Sequence, residues 1–132
     1  MCLDTLLDQR DVEGLGNNGE GYKVVYQQWD AEGNKTYTLP FARIGVLDVG
    51  RTYTDYKDLM LITEDNKGEY HTGYHIFHTL EGARMYKELL TFDNTFPAIL
   101  KVQWGGLIAC GMQQDHVSLV VKTFTIIEEV EG

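Results

Sequence analysis

Three of the four histidines lie within eight positions, at His71, His75 and His78. Imidazole is a common zinc ligand, and this i, i+4, i+7 spacing would place all three on one face of a helix. Gly73 and its β-branched and aromatic neighbours favour extended backbone instead. In a strand, His71 and His75 share a face with Phe77 while His78 points the other way, so the three do not converge. We therefore predict no metal site and interpret the histidines as structural, with His75 fixing the fold through a buried hydrogen bond.

The residues after the histidines predict the main helix of the chain, over about 80–90. Thr79 is a typical N-cap, and Glu81 places a negative charge at the positive end of the helix dipole. Apolar side chains recur at helical spacing at Leu80, Ala83, Tyr86, Leu89 and Leu90. A strand therefore leads directly into a helix.

Most other segments alternate apolar and polar residues with the two-residue period of a strand. The alternation is clear in "YKVVYQQW", "KTYTLPF", "PAILKVQW" and "VSLVVKTFTIIEEV". Two turns are predicted in the last third of the chain, at Gly105–Gly106 and in "QDH". No strand–helix–strand repeat suggests a parallel sheet, so we expect an antiparallel one.

The first 20 residues differ from the rest. Leu3, Leu6 and Leu7 oppose a set of aspartates in the pattern of a short amphipathic helix, and "EGLGNNGEG" then predicts a flexible loop. The expected fold class is α+β: a twisted antiparallel β-sheet with one main α-helix packed on a face and a short N-terminal helix. Residues 1–132 form one domain, with the helix and loop in 1–20 and the β-rich core in 21–132.

The charge balance narrows the choice of partners. The net charge is −9, from 20 acidic and 11 basic residues. Nucleic-acid binding depends on clustered lysine and arginine, so direct binding of DNA or RNA is not expected. An acidic protein steers instead toward a basic partner, and the densest N-terminal acids are the candidate contact: Asp4, Asp8, Asp11 and Glu13.

Known sequence signals for location and chemistry are missing from the chain. The longest apolar runs fall far short of the ~20 residues of a membrane span, and the acidic start is unlike a secretory signal. We predict a cytoplasmic protein without membrane contact. There is no phosphate loop, Gly-x-Gly-x-x-Gly fingerprint, nucleophile elbow or His-Glu-x-x-His motif, so no cofactor is predicted.

Several motifs nevertheless resemble a group of known sequences. "MCL", "GYKVV", "VGRTY", "GYHIFHTLEGARMY", "AILKVQWGGLIACG" and "VVKTFTIIEE" are similar, over most of the chain, to small, mostly uncharacterised proteins of bacteriophages and their bacterial hosts. That group shares a Gly-Phe/Tyr-His-x-Phe strand leading into a helix with an Ala-x-x-Tyr step. The resemblance implies a phage-encoded protein of the host cytoplasm.

A remoter resemblance is to the ADP-ribosyltransferase fold, in which a strand, a Gly-aromatic strand and an Ala-x-x-Tyr helix follow in comparable order. Lys23 stands where such enzymes usually place histidine or arginine to hold NAD, which is a departure from their pattern. The catalytic acid implied is Glu128 or Glu129, near the end of the chain. The residues that the resemblance implies for catalysis are Tyr53, Tyr74, His75 and Glu128.

Three functional hypotheses follow. The first is a phage-encoded acidic interaction protein that binds and inhibits a host protein with a basic surface, such as a nucleic-acid-handling defence system, in the manner of an anti-CRISPR protein. The second is an ADP-ribosyltransferase-like enzyme. The third is a small-ligand or nucleotide-binding domain that uses a cleft between sheet and helix. We favour binding over catalysis.

Overall fold

The structure is a computed structural model that describes residues 3–12, 15–39, 46–56, 59–92 and 95–131. These ranges contain a short 3-10 helix at Gln9–Asp11 and one α-helix, α1, at Leu80–Leu89. The strands, in chain order, are β1 (Thr5–Leu7), β2 (Asn18–Trp29), β3 (Lys35–Thr38), β4 (Thr52–Thr54), β5 (Met60–Ile62), β6 (Glu69–His71), β7 (Tyr74–Phe77), β8 (Pro97–Gln113) and β9 (His116–Glu131). No helix in these ranges is long and apolar enough to cross a membrane.

Strands β8 and β9 form the frame of the molecule. They are 17 and 16 residues long and pair antiparallel from Gln113–His116 at the turn to Ile99–Glu131 at the far end. Gln114 and Asp115 make the turn with φ of 52° and 66°. Left-handed backbone at both central residues is typical of a tight hairpin whose twist matches that of its strands. The predicted turn in "QDH" is confirmed.

The large sheet closes on itself. The second edge of β8 pairs with β2, and the second edge of β9 pairs with β7. β2 and β7 then pair with each other at Tyr22 and Phe77, which completes a ring of four strands. β1, β3 and β4 extend the free edges of β8, β2 and β9, whereas β5 and β6 form a separate two-stranded hairpin.

Ring closure depends on a close approach between β2 and β7. A β-carbon at Gly21 would lie 2.5 Å from Cγ2 of Ile76 and 3.0 Å from the carbonyl oxygen of Phe77. The first distance is shorter than non-bonded carbons adopt and the second is unusually tight, so glycine fits beside the Tyr22–Phe77 pair without a shift of its neighbours. The glycine-rich stretch read from the sequence as a loop thus contributes the start of β2.

The principal core lies inside the ring and is built from strands and connecting segments. Three of its buried residues, Val12, Leu39 and Leu47, come from connecting segments, and none comes from α1. The others come from β2, β7, β8 and β9: Val25, Ile76, Ala98, Leu100, Val102, Trp104, Cys110, Leu119, Val121, Phe124 and Ile126. Residues at the intervening positions face outward. They form two smaller clusters, one under α1 and one under the β5–β6 hairpin.

Helix α1 lies where the sequence predicts it, but it covers only a small apolar cluster outside the principal core. Thr79 adopts extended backbone as N-cap, and its hydroxyl accepts a hydrogen bond from the amide of Gly82 at 3.2 Å. The helix covers a cluster that includes Ala83, Tyr86 and the outward-facing Phe77. The predicted α+β class, with a main helix packed on a sheet face, is therefore wrong. The protein is mostly β, because the largest core is enclosed by a sheet that closes without the helix.

Two local predictions are also wrong. The predicted N-terminal amphipathic helix is not formed, and only the 3-10 turn at Gln9–Asp11 is helical there. Thr5–Leu7 instead form β1 and pair with Cys110–Met112, because the free edge of β8 offers hydrogen bonds that a short apolar pattern cannot reveal. The expected turn at Gly105–Gly106 lies within β8. Gly106 has a φ of 69°, so glycine allows the strand to bend there without ending.

Replacing Gly21 with alanine tests the closure of the ring. We expect Gly21→Ala to lower the free energy of unfolding by about 1–3 kcal/mol, the usual cost of forcing an extra methyl group into a filled space. Gly16→Ala is the control, since the nearest atom to its added β-carbon is 3.8 Å away. Urea denaturation measures both. If the two variants unfold at the same urea concentration, β2 and β7 are not in the contact described.

Candidate functional site

The most unusual residue of the molecule is Lys23, in the middle of β2. It is only 7% exposed, and it shares the inward face of the strand with Val25. Its Nζ lies 5.6 Å from the ring centroid of Phe124 and 5.9 Å from that of Tyr74, two aromatic residues of the ring interior. A charged side chain therefore enters the principal core.

The ammonium group of Lys23 has few polar contacts. Nζ donates one hydrogen bond, of 2.9 Å, to the carbonyl oxygen of His75. No carboxylate in the described ranges lies within ion-pair distance of it. The two aromatic faces supply favourable electrostatics, since a cation is attracted to the negative face of a ring. These contacts replace only part of the hydration that the group loses.

Burial lowers the pKa of Lys23 to about 8. Roughly a fifth of such amines are neutral at pH 7.4, against about one in a thousand for an exposed lysine. A neutral amine is a nucleophile toward carbonyl compounds, but that chemistry also needs a proton acceptor and room for a substrate. The aromatic rings and the His75 carbonyl enclose this amine, so we interpret Lys23 as a buried structural cation.

Two of the four residues implied for a transferase meet at Phe124, beside which Lys23 lies. Tyr74 lies edge-on to Phe124 at 4.7 Å, and Tyr53 stacks on the same ring at 5.4 Å. The hydroxyl of Tyr53 accepts a hydrogen bond of 2.7 Å from the amide of Asp48. Burial, followed by the charge of Asp55, raises the pKa of the Tyr74 hydroxyl. Both tyrosines act as core aromatics with one polar end.

His75, by contrast, lies on the outer side of the ring. It follows Tyr74 in β7 and therefore points away from it, toward Tyr70 of the hairpin at a ring distance of 6.2 Å. Burial, and secondly the charge of Lys23, lowers the pKa of His75 to about 4. Its Nδ1 is buried and has no hydrogen-bond partner in the described residues. A side-chain hydrogen bond with Gln113 opposes this lowering of the pKa, and the contribution of His75 to stability stays a prediction.

The histidine segment is extended, as the sequence predicts. Glu69–His71 form β6 and Tyr74–Phe77 form β7, so His71 and His75 stand on different strands and His78 follows β7. Within the described residues no three His, Cys, Asp or Glu side chains are grouped as metal ligands. The Gly-Tyr-His-x-Phe motif instead places Tyr74 and Ile76 inside the ring and Phe77 beneath α1.

Glu128 is separated from the other candidate catalytic residues by a β-bulge. Val102 pairs with Ile126 but Lys101 pairs with Glu128, so Ile127 is an extra residue in β9. The bulge reverses which side chains face inward after Ile126, and Glu128 lies exposed on the outside opposite Lys101. Alternation counted along the sequence would have placed Glu128 inside with Phe124. The four residues thus do not form one site.

The predicted acidic contact is largely built into the fold. A carboxylate oxygen of Asp4 accepts a hydrogen bond of 2.8 Å from the amide of Gln114. Asp8 forms a 2.7 Å ion pair with Arg10, and the hydrogen bonds from Arg10 lower the pKa of the Asp8 carboxyl. Asp11 is exposed, and Glu13 lies outside the described residues. Residues 4–7 are therefore held against β8 by backbone hydrogen bonds, and Asp8 is paired locally with Arg10.

Tertiary contacts bring further acids to Asp4. The amides of Glu64 and Asp65, in the β5–β6 turn, donate hydrogen bonds to the carbonyl oxygens of Leu3 and Asp4 at 3.0 and 3.2 Å. The Asp4–Gln114 bond brings the neighbouring Asp115 to the same place. We call these four residues, Asp4, Glu64, Asp65 and Asp115, the acidic edge. Their positions in the sequence give no sign of it.

A groove lies next to this edge, between β1 and the β5–β6 hairpin. It has a volume of about 390 Å³ and crosses the outer side of β8. Its lining residues are Leu6, Leu7, Met60, Glu69, Tyr70, His71, Leu107, Ile108, Ala109 and Cys110. Sequence reasoning missed it because β1 and the hairpin, its two walls, are joined only in the tertiary structure.

Comparisons with known proteins do not identify the chain. No family model, curated protein or solved structure matches it. The resemblances to phage proteins and to the ADP-ribosyltransferase fold therefore stay expectations that rest on the quoted motifs.

The pH dependence of stability tests the burial of Lys23. Its pKa is about 8 in the folded protein and about 10.4 in the unfolded chain, so between these values the unfolded chain binds more protons. The free energy of unfolding must then rise between pH 8 and about 10.4, by about 3 kcal/mol in total. Below pH 8 the cost of burying the charged amine is fully present.

We expect wild type to gain stability relative to Lys23→Met as the pH rises from 8 to 10. Urea denaturation of both proteins at several pH values measures the difference, and other titrating groups cancel because both proteins contain them. A pH-independent difference between the two proteins would show that Lys23 keeps an ordinary pKa and is not buried as described.

Proposed function

We propose that the protein is a small acidic interaction protein that binds, and thereby inhibits, a host protein through that protein's basic surface. The observation that carries this proposal is the acidic edge. Three separate segments of the chain bring acidic residues together there, on a backbone fixed by hydrogen bonds. A pre-organised charged surface needs little ordering on binding, which favours association.

The electrostatics support a basic partner. Glu64 and Asp115 are exposed and form no ion pair with any described residue, so their charges are available to an approaching protein. The net charge of −9 adds a long-range field of the same sign. Proteins that handle nucleic acid present such basic surfaces, and the resemblance to phage proteins makes a defence system of this kind, as for an anti-CRISPR protein, the partner class that we propose.

The other two hypotheses have less support. A transferase would need Tyr53, Tyr74, His75 and Glu128 around one substrate, but two face the ring interior and two face outward. A ligand cleft between sheet and helix would need space under α1. Phe77 and Tyr86 are in ring contact at 5.3 Å there and are both buried.

The experiment has two steps. The tagged protein is first used to capture partners from a bacterial lysate, and a stoichiometric basic protein is the expected product. Association rates are then measured for wild type and for Glu64→Gln/Asp115→Asn. We expect the double variant to associate about two- to tenfold more slowly at low salt, because electrostatic steering acts mainly on the association rate.

The matched control is Glu32→Gln/Glu88→Gln. It removes the same charge from two exposed residues near the opposite, Pro97 end of β8 and should associate at nearly the wild-type rate. Asp115→Asn suits the left-handed backbone of the turn, so the fold is kept. Raising the salt should abolish the difference, since the Debye length is ~8 Å at physiological ionic strength. Equal rates for the two double variants, or capture of no basic protein, would refute the proposal.

A further inference from the structure

The groove beside the acidic edge is apolar at its base and open to solvent. Ile108 and Ala109 of β8 form its floor, while Leu6 of β1 and Met60 of β5 stand on opposite sides. Leu6 is 39% exposed and Met60 is 50% exposed. Its volume of about 390 Å³ lies at the lower end of the range of pockets that hold ligands, about 300–1,000 Å³.

Apolar exposure continues along the hairpin wall. Leu59 and Ile62 are 60% and 54% exposed, so β5 and the residue before it present large apolar side chains to water on both sides of Met60. Large exposed apolar side chains next to a groove, with polar residues around them, are typical of a protein–protein contact. The groove gives this surface a concave centre into which a side chain can insert.

The charge around the groove selects the occupant. Glu69 lies in the groove wall and is exposed, and its carboxylate forms no ion pair with the described residues. The acidic edge adjoins the same wall, because Glu64 and Asp65 belong to the turn that connects β5 to β6. An acidic occupant would be repelled, whereas a cationic group placed next to an apolar one would satisfy both features.

We propose that this groove is the docking site for a short basic segment of the partner protein. A bulky apolar side chain of the segment packs over Leu6, Met60 and Ile108, and a neighbouring lysine or arginine pairs with Glu69. This inference rests on the proposed function and specifies where the partner binds. Apolar burial supplies most of the affinity, and the ion pair at the rim sets the sign of the charge that is accepted.

The probe is a capped hexapeptide of alternating leucine and arginine, titrated into the protein while the methyl NMR signals of methionine and isoleucine are followed. We expect the Met60 and Ile108 methyl signals to shift saturably. Met60→Ser should weaken binding about tenfold through lost apolar contact, and Glu69→Gln about two- to fivefold through the lost ion pair. Both side chains are exposed, so both variants should fold.

The controls separate groove binding from general attraction to an acidic protein. A peptide with serine in place of leucine keeps the charge and should not shift Ile108, and one with glutamate in place of arginine should not bind. Phe92→Ser removes an exposed aromatic residue outside the groove and should leave the affinity unchanged. Shifts confined to residues outside the groove, or equal affinity of wild type and Met60→Ser, would overturn the proposal.

The outcomes also distinguish this inference from the proposed function. If a captured basic partner binds Met60→Ser and Glu69→Gln as tightly as wild type, the groove is not the docking site although the function stands. If the peptide binds in the groove but the lysate yields no basic partner, the groove recognises basic apolar segments and the inhibitory function fails.

Discussion

The antiparallel pairing of β8 with β9 is the interaction on which the rest of the structure depends. Both strands are more than twice the usual length of about 5–6 residues. The β8–β9 hairpin by itself would leave the backbone groups on the outer edge of each strand without hydrogen-bond partners. Those groups must find partners, and β1, β2, β4 and β7 are the segments that supply them. Twist in so long a hairpin brings β2 and β7 together, and Gly21 provides the space for them to pair.

Closure of the sheet explains the unusual position of Lys23. In an open sheet this face of β2 could be left to solvent, but in a closed ring every second residue must enter the core. Three groups stabilise the buried amine of Lys23: the aromatic faces of Tyr74 and Phe124 and the carbonyl oxygen of His75. Burial lowers the pKa of Lys23, because those contacts replace only part of its lost hydration. On the outer side of β7, the buried Nδ1 of His75 has no hydrogen-bond partner among the described residues.

The outer side of the ring is where the molecule can meet others. Helix α1 and the β5–β6 hairpin cover two parts of it, and each covering element brings its own small apolar cluster. The hairpin does not meet β1 along its full length, so the groove stays open between them, and its turn carries Glu64 and Asp65 to Asp4. The hydrogen bonds from the β5–β6 turn to Leu3 and Asp4 hold one end of the hairpin on the sheet. They therefore form the acidic edge and leave the groove beside it, and the two together support a binding function.

Local pattern in the sequence determined the extended histidine segment, the helix from Leu80 with its Thr79 cap, the turn before His116 and the strongly acidic charge, because each depends on residues close together in the chain. Only the tertiary structure decided that the sheet closes, that Thr5–Leu7 form a strand and that Glu128 faces outward. Strand partners are chosen by hydrogen bonding between distant segments, and a single bulge at Ile127 reverses an alternation that looks regular in the sequence. For the same reason the acids at positions 4, 64, 65 and 115 could not be recognised as neighbours: nothing in their own segments records the backbone contacts that bring them together.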